Sequence, residues 1–221
     1  METIPASLTH IIQPPRAVGG PHPALIMLHG RGTDERDLSG LAQFLDPRLF
    51  VVSARAPFPF QYGGGYAWYD VIDVGLPQPQ MFAESHRRLN ALVEEVVAGY
   101  PIDAQRVFLF GFSMGAVMAH AMALTQPEMI AGVVAHSGYL PPQKELDLEF
   151  QLNGLDGRAW FVAHGVHDPI IPIRFGRETR DLLAGTAADL SYHEYPIAHQ
   201  VSEDSLNDLS AWLTRRIAPS D

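Results

Sequence analysis

Gly111-Phe112-Ser113-Met114-Gly115 places a serine between two glycines, at the junction of an apolar run and a run of strong helix formers. A G-x-S-x-G pattern with a strand before it and a helix after it can hold the hydroxyl exposed at a sharp turn. The chemistry of such a serine is nucleophilic attack on a carbonyl carbon. So sharp a turn strains the serine backbone and crowds the positions two before and two after it, where small residues fit. A helix starting near Met114 aims unpaired N–H groups and the positive end of its dipole at the place where an oxyanion would form. The plainer reading is that Ser113 is a small residue in a tight turn. A base, an orienting acid and an oxyanion site elsewhere in the chain decide between the two.

In a parallel α/β sheet the functional loops lie at the carboxyl ends of the strands. RAWFVAHGVHDPIIP supplies Asp168 after one apolar run, and LSYHEYPIAHQV supplies His199 after the next. Serine, aspartate, histidine is the chain order of the α/β-hydrolases. Six segments in order, LHGRGTDERDL, RAPFPFQYGGGYAWYD, GFSMGAVMAHAMAL, PEMIAGVVAHSGYLP, HGVHDPIIP and AHQVSEDSLNDLSAWL, extend the likeness over nearly the whole chain. The sequence resembles the phospholipase/carboxylesterase and acyl-protein thioesterase family of small serine hydrolases.

That resemblance implies an α/β-hydrolase fold, with Ser113 as nucleophile, Asp168 as orienting acid and His199 as base. It also implies an oxyanion hole made by the backbone amides of Arg31 and Met114. The substrates it implies are small-molecule esters or thioesters, with acylated proteins and lysophospholipids as further candidates, and small members of the family are often dimers. No cofactor is required. Family members often carry Gln after the serine, where this chain has Met114, and Gly before the histidine, where it has Ala198. A backbone amide does not depend on its side chain, so the first departure bears on substrate contacts, and the second stiffens the histidine loop. Within this reading the pocket is expected to be walled by Phe58, Tyr62, Trp68 and Met81 from an aromatic loop, and by Val166, Ile170 and Ile171 beside Asp168. An apolar cleft suits a short or medium acyl chain or an aromatic ester. A hydrolase fold that binds without catalysis is the rival from another class.

Other chemical groupings weigh less. His164, His167 and Asp168 form H-x-x-H-D, but no second cluster with ligand spacing accompanies them, so no metal is expected. His29 reads as a hydrogen-bonded structural histidine beneath the oxyanion loop, and His120 and His136 as satisfied, partly buried ones. Met114, Met118 and Met122 recur at helical spacing and read as packing against the sheet, with Met114 also near substrate. Gly63-Gly64-Gly65 lacks the ending of a phosphate loop. Trp68-Tyr69-Asp70 either lines the substrate mouth or anchors its loop. The Arg31 guanidinium is expected to pair with Asp34, Glu35 or Asp37, the alternative being a polar or anionic group on the substrate.

The elements that must position these residues follow from periodicity. ALIML (24–28), LFVVSA (49–54) and RVFLFGF (106–112) are apolar without alternation, as strands covered on both faces are. IAGVVAHSG, RAWFVAHG and LSYHEYP read as three more strands with helical segments between them. A short helix is expected over DERDLSGLAQFLD, a longer one over 81–100 with Leu89, Leu92, Val93, Val96 and Val97 on one face, and an amphipathic one at SLNDLSAWLTRRI. Residues 55–80 hold too many Pro and Gly for a regular element. The result is an α/β fold with a mostly parallel central sheet, helices on both faces and no large lid domain. Residues 1–22 read as an extended N-terminal segment leading into a single domain over 1–221.

The bulk composition bounds the function. At 221 residues and 47% hydrophobic, the chain can bury one sizeable core. A net charge of -10 disfavours nucleic acid or an anionic membrane surface as partner. With no cysteine, disulfides, thiolate metal sites and cysteine nucleophiles are excluded. The N-terminal stretch lacks a basic region followed by an apolar core, and no run approaches the ~18 apolar residues of a membrane helix, so a cytoplasmic, non-inserted protein is expected.

Overall fold

Apolar runs without alternation become interior strands here, because helices cover both faces of the sheet they form. The computed structural model describes residues 1–16 and 19–218; residues 17 and 18 of the N-terminal segment and residues 219–221 lie outside the described part. In chain order the elements are β1 (His10–Gln13), β2 (His22–Leu28), β3 (Phe50–Ala54), β4 (Phe58–Pro59), β5 (Tyr66–Ala67), β6 (Val71–Asp73) and β7 (Leu76–Pro77). There follow α1 (Pro79–Gly99), β8 (Ile102–Phe112), α2 (Met114–Thr125), β9 (Gly132–His136), β10 (Ala159–Gly165), α3 (Arg174–Ala184), β11 (Asp189–Tyr195) and α4 (Glu203–Arg216).

Seven strands form one sheet in the order β1-β3-β2-β8-β9-β10-β11, with β1 antiparallel to β3 and every other pairing parallel. Successive side chains point to opposite faces, so Ile26 and Leu28 of β2 join the core under α1 and α2, while Leu25 and Met27 join the core under α4. Helix α2 is buried all round from Met114 to Leu124. That explains its composition: a helix with no polar face has no wet side, and its alanines let it lie close to the sheet. Helix α4 starts with a capping box in which Ser202 and Ser205 satisfy each other's amides, and it buries Trp212 against Phe108 and Phe161.

Within the extended N-terminal segment, His10–Gln13 form an edge strand in register with Ala54 to Val51. Three expectations need correction. The helix expected over 34–46 is a 3₁₀ segment, Ser39–Phe44, flanked by the buried Leu38 and Leu45, while Phe44 is exposed; with Gly40 inside and Asp46-Pro47 just beyond, the run is too short and interrupted for an α-helix. Residues 55–80 contain two small antiparallel ladders, β4 with β5 and β6 with β7. The connection from β9 to β10, expected to be helical, holds one 3₁₀ turn at Leu152–Gly154, because Pro141 and Pro142 interrupt any helical run near its start.

Candidate active site

Ser113 sits between the end of β8 and the start of α2 with φ 56° and ψ -119°. This is a strained backbone for a non-glycine residue. Its neighbours show why the turn demands glycine. A Cβ on Gly111 would strike the Gly115 carbonyl, and a Cβ on Gly115 would strike the carbonyl of Leu28 at the end of β2. The Ser113 amide donates to the carbonyl of His136 on β9 at 3.0 Å, which ties the turn to the neighbouring strand.

Three side chains from three strand ends meet in one hydrogen-bonded line. His199 Nε2 lies 2.9 Å from Ser113 Oγ, and His199 Nδ1 lies 2.7 Å from Asp168 Oδ2. The Asp168 side chain is wholly shielded from solvent and that of His199 largely so. Asp168 Oδ1 accepts the amides of Ile170 and Ile171, each at 2.8 Å, which leaves Oδ2 for the histidine. An ionised carboxylate is an acceptor only, so the proton on His199 resides on Nδ1 and Nε2 is free to accept from Ser113. The ring of Phe112 packs 4.9 Å from that of His199 and fixes its plane. His164 Nε2 donates to the carbonyl of Ile171 at 2.8 Å and so braces the loop that carries Asp168.

Beside Ser113 runs the loop from His29 to Thr33, held from below. Buried His29 accepts the Ala56 amide on Nε2 at 3.0 Å and donates from Nδ1 to the Gly30 carbonyl at 2.6 Å. Burial lowers its pKa, which keeps the ring neutral as that pattern requires. Tyr66 of the aromatic loop holds the 29–33 loop from the side: its carbonyl accepts the Gly32 amide at 2.8 Å and its amide donates to the Thr33 carbonyl at 2.7 Å. Gly65, with φ +70°, lies so close to Gly32 that no Cβ fits between them. Gly30 lies against Ser113: a Cβ there would be 3.5 Å from the serine Cβ. Met114 is the first residue of α2, so its N–H has no acceptor within the helix.

A cleft of about 100 Å³ opens at Ser113 between these loops. Besides Ser113, Met114 and Arg31, its walls are Tyr69, Val71, Val74, Gly75, Tyr139, Ile170 and Ile171. Of the residues expected from sequence to line it, Ile170 and Ile171 do. Phe58, Tyr62, Trp68, Met81 and Val166 are not among its walls. Trp68 is fully buried and donates from Nε1 to the His29 carbonyl at 2.9 Å, so it anchors the loop from beneath. Tyr62 is 84% exposed at a loop tip, next to Phe60. Phe58 belongs to β4, Met81 to the first turn of α1, and half-buried Val166 pairs its amide with Tyr195. In their place stand Tyr69 and Tyr139, whose hydroxyls lie 3.2 Å apart, and the β6–β7 hairpin. Tyr139 lies in the connection just past β9, after Ser137 and Gly138, so its place near a strand's carboxyl end is the signal that could have found it.

The Arg31 side chain does not pair as expected. Glu35 is held in a bidentate fork by Arg55, at 2.6 and 2.7 Å. Asp34 binds the Arg36 amide and guanidinium, and Asp37 accepts from Thr33. The Arg31 guanidinium instead lies over the Phe60 ring, 5.5 Å from its centroid, and Arg31 is among the residues that wall the cleft.

The other histidines do different work. His136 bonds Ser137 Oγ at 3.0 Å and Ser205 Oγ at 3.1 Å, and burial pushes its pKa down to about 3. Ser137 also has positive φ and a histidine partner, yet it is fully buried, so no substrate reaches it. His120 is enclosed, accepts from Trp160 Nε1 at 3.3 Å and is likewise pushed down to about 3 by burial. His167 is exposed, and among the described residues no group of three or more His, Asp or Glu is placed to hold a metal ion. Met118 and Met122 are fully buried in the core. A larger cavity, about 580 Å³, lies at the opposite end of the strands among Asp103, Arg106, Arg158 and Arg216, remote from Ser113.

Comparison with known proteins supplies context for this geometry. The model of the phospholipase/carboxylesterase family matches residues 10–217. Acyl-protein thioesterase 1 of Debaryomyces hansenii is 29% identical over 203 residues, which cover 84% of this chain and 87% of that protein. Among solved structures, esterase PE8 superposes with a TM-score of 0.82 at 26% identity, covering 96% of this chain and 99% of that one. The Bacillus cereus carboxylesterase superposes with a TM-score of 0.83 at 24% identity, covering 95% of this chain and 94% of that one. The sheet and its helices are therefore the α/β-hydrolase fold. Among the described residues no helix is long and apolar enough to cross a membrane.

Proposed function

This chain belongs to the phospholipase/carboxylesterase family, and on that premise we propose that it hydrolyses carboxylic esters of short-to-medium or aromatic acids through an acyl-enzyme on Ser113. The observation that carries the reading is the line from Asp168 Oδ2 through both nitrogens of His199 to Ser113 Oγ, at 2.7 and 2.9 Å. That line puts the Ser113 hydroxyl in hydrogen-bond contact with an imidazole beside a largely apolar cleft, which supports its use as a nucleophile.

In the first half of the reaction His199 Nε2 takes the Ser113 proton as Oγ attacks the ester carbonyl. Negative charge develops on the carbonyl oxygen, where the Met114 amide at the head of α2 and the Arg31 amide donate to it. The tetrahedral intermediate collapses by expelling the alcohol, which leaves with the proton from His199. In the second half water gives a proton to His199 and adds to the acyl carbon; collapse then returns the proton to Ser113 Oγ and releases the acid. Asp168 keeps the Nδ1–H tautomer throughout and balances the imidazolium when it forms.

The cleft bears on acyl size. Tyr69 and Tyr139, joined through their hydroxyls, stand in its wall together with the β6–β7 hairpin, and a space of about 100 Å³ favours the shorter acids. Thioesters are a second substrate class, favoured by the likeness to a protein named acyl-protein thioesterase; the same steps apply with a thiol leaving. A panel of p-nitrophenyl esters and acyl thioesters of graded chain length tests both. The reading expects turnover of short esters that disappears in Ser113→Ala, and turnover surviving in that variant would contradict it.

A further inference from the structure

Arg31 is the one charged residue among those that wall the cleft at Ser113. Its neighbours explain why that charge is left for something else. Each acidic side chain of its own loop is occupied: Glu35 by Arg55 and Arg36, Asp34 by Arg36, and Asp37 by Thr33. Asp70 and Asp73 on the neighbouring hairpin segment are exposed and do not wall the cleft. The guanidinium carbon stands 5.5 Å from the centre of the Phe60 ring, a contact that attracts the charge without neutralising it. Its charge also reaches into the cleft: burial raises the Tyr69 phenol far above its ordinary value, and Arg31 acts on it in the opposite sense.

A surface arginine in a chain of net charge -10 has many carboxylates to choose from, and this one takes none among the described residues. We propose that the Arg31 guanidinium is a specificity determinant that binds a carboxylate on the substrate, so that the preferred esters are anionic. The inference rests on the esterase reading above for the position of the scissile bond. Because one residue supplies both the oxyanion-hole amide and the guanidinium, the carboxylate sits within one arginine side-chain length of the reacting carbonyl. Monoesters of short dicarboxylic acids, with the charge on the acyl side, and esters of small hydroxy acids, with the charge on the alcohol side, both satisfy that distance. A planar fork matches a carboxylate with two parallel hydrogen bonds, which an ammonium does not reproduce.

The test compares pairs that differ in charge alone. On the acyl side the p-nitrophenyl monoester of adipic acid is set against p-nitrophenyl hexanoate; on the alcohol side 4-acetoxybenzoate is set against p-tolyl acetate. The wild type should favour the anionic member of one pair, and that pair identifies the side that carries the charge. Arg31→Leu keeps the backbone amide and should lower the anionic-to-neutral ratio of kcat/KM at least tenfold, mainly through KM, with Arg31→Lys recovering part of it. A ratio unchanged within twofold in Arg31→Leu, in both pairs, would overturn the proposal.

Calorimetric binding of the same esters to Ser113→Ala reads Arg31 without turnover. Arg31-dependent binding of an anionic ester in a protein that hydrolyses none of the four would keep this inference and sink the esterase reading. Turnover of the neutral esters with no Arg31 dependence, in rate ratio or in binding, would do the reverse.

Discussion

The indole Nε1 of Trp68 donates to the carbonyl of His29 at 2.9 Å, and both residues are buried. Through that bond the aromatic loop holds the segment that carries the Arg31 amide. Ser85 Oγ in turn donates to the Trp68 carbonyl, which ties the loop to α1. Trp68→Phe would leave the His29 carbonyl buried without this donor, a loss of about 1–3 kcal/mol. We expect that loss in chemical denaturation, with kcat falling more than KM changes, because in the proposed mechanism the misplaced amide serves the oxyanion. A variant with wild-type kcat would show that the bond does not position the loop.

Asp168→Asn tests the orienting acid. Oδ1 accepts two amides, so the asparagine oxygen must take that side and its NH₂ must face His199. The imidazole then accepts on Nδ1 and carries its proton on Nε2, the wrong tautomer to take one from Ser113. A loss of roughly 10³–10⁴ in kcat follows, by analogy with the same change in other serine triads. Circular dichroism should report an unchanged fold.

How much of this is legible in the sequence depends on how local each feature is. Ser113, Asp168 and His199 each sit in a short pattern at a strand's end, and the strands declare themselves by unbroken apolar runs such as ALIML. The walls of the cleft are another matter. Trp68 and Tyr69 are adjacent aromatics, yet Trp68 satisfies its N–H beneath the loop while Tyr69 walls the cleft; composition does not tell which way each faces. Tyr139 lies in an irregular connection where no periodicity marks it. The pairing of Arg31 fails for a similar reason: nearness in sequence suggests Glu35, but β3 delivers Arg55 to that carboxylate from twenty residues away. Strand β1 is short and half-exposed, and only its partner reveals it.

Tyr139→Ala should lengthen the acyl chain accepted. Removing this wall opens the cleft, and each methylene then buried adds about 0.8 kcal/mol, or roughly fourfold in kcat/KM. The ratio of octanoate to butyrate esters should therefore rise at least tenfold. A chain-length profile that keeps its shape would place the acyl group elsewhere.

Stability should fall on mild acidification. His120 and His136 are held neutral by burial, both pushed down to about 3, and burial also lowers His29 and His164. In the unfolded chain each takes a proton near pH 6.5. Between the unfolded and folded values the unfolded state binds more protons, so stability decreases as pH drops, by about 1.4 kcal/mol per pH unit for each histidine. Urea midpoints should decline from about pH 6.5 to 5.5, above the range where most carboxylates titrate. His120→Gln, which retains an acceptor for Trp160, should reduce the slope by one histidine's share. An unchanged slope would mean that His120 does not stay neutral in the fold.

The central claim is that Ser113 is a nucleophile activated by His199. A fluorophosphonate probe followed by peptide mass spectrometry tests it most directly, since the probe reacts with activated serines and requires no knowledge of the substrate. The account predicts one stoichiometric adduct, on Ser113, with labelling slowed by orders of magnitude in His199→Ala and ester hydrolysis abolished in step. A folded protein that forms no adduct, as a binding protein on a hydrolase fold would, or one labelled at another serine such as Ser137, would contradict it.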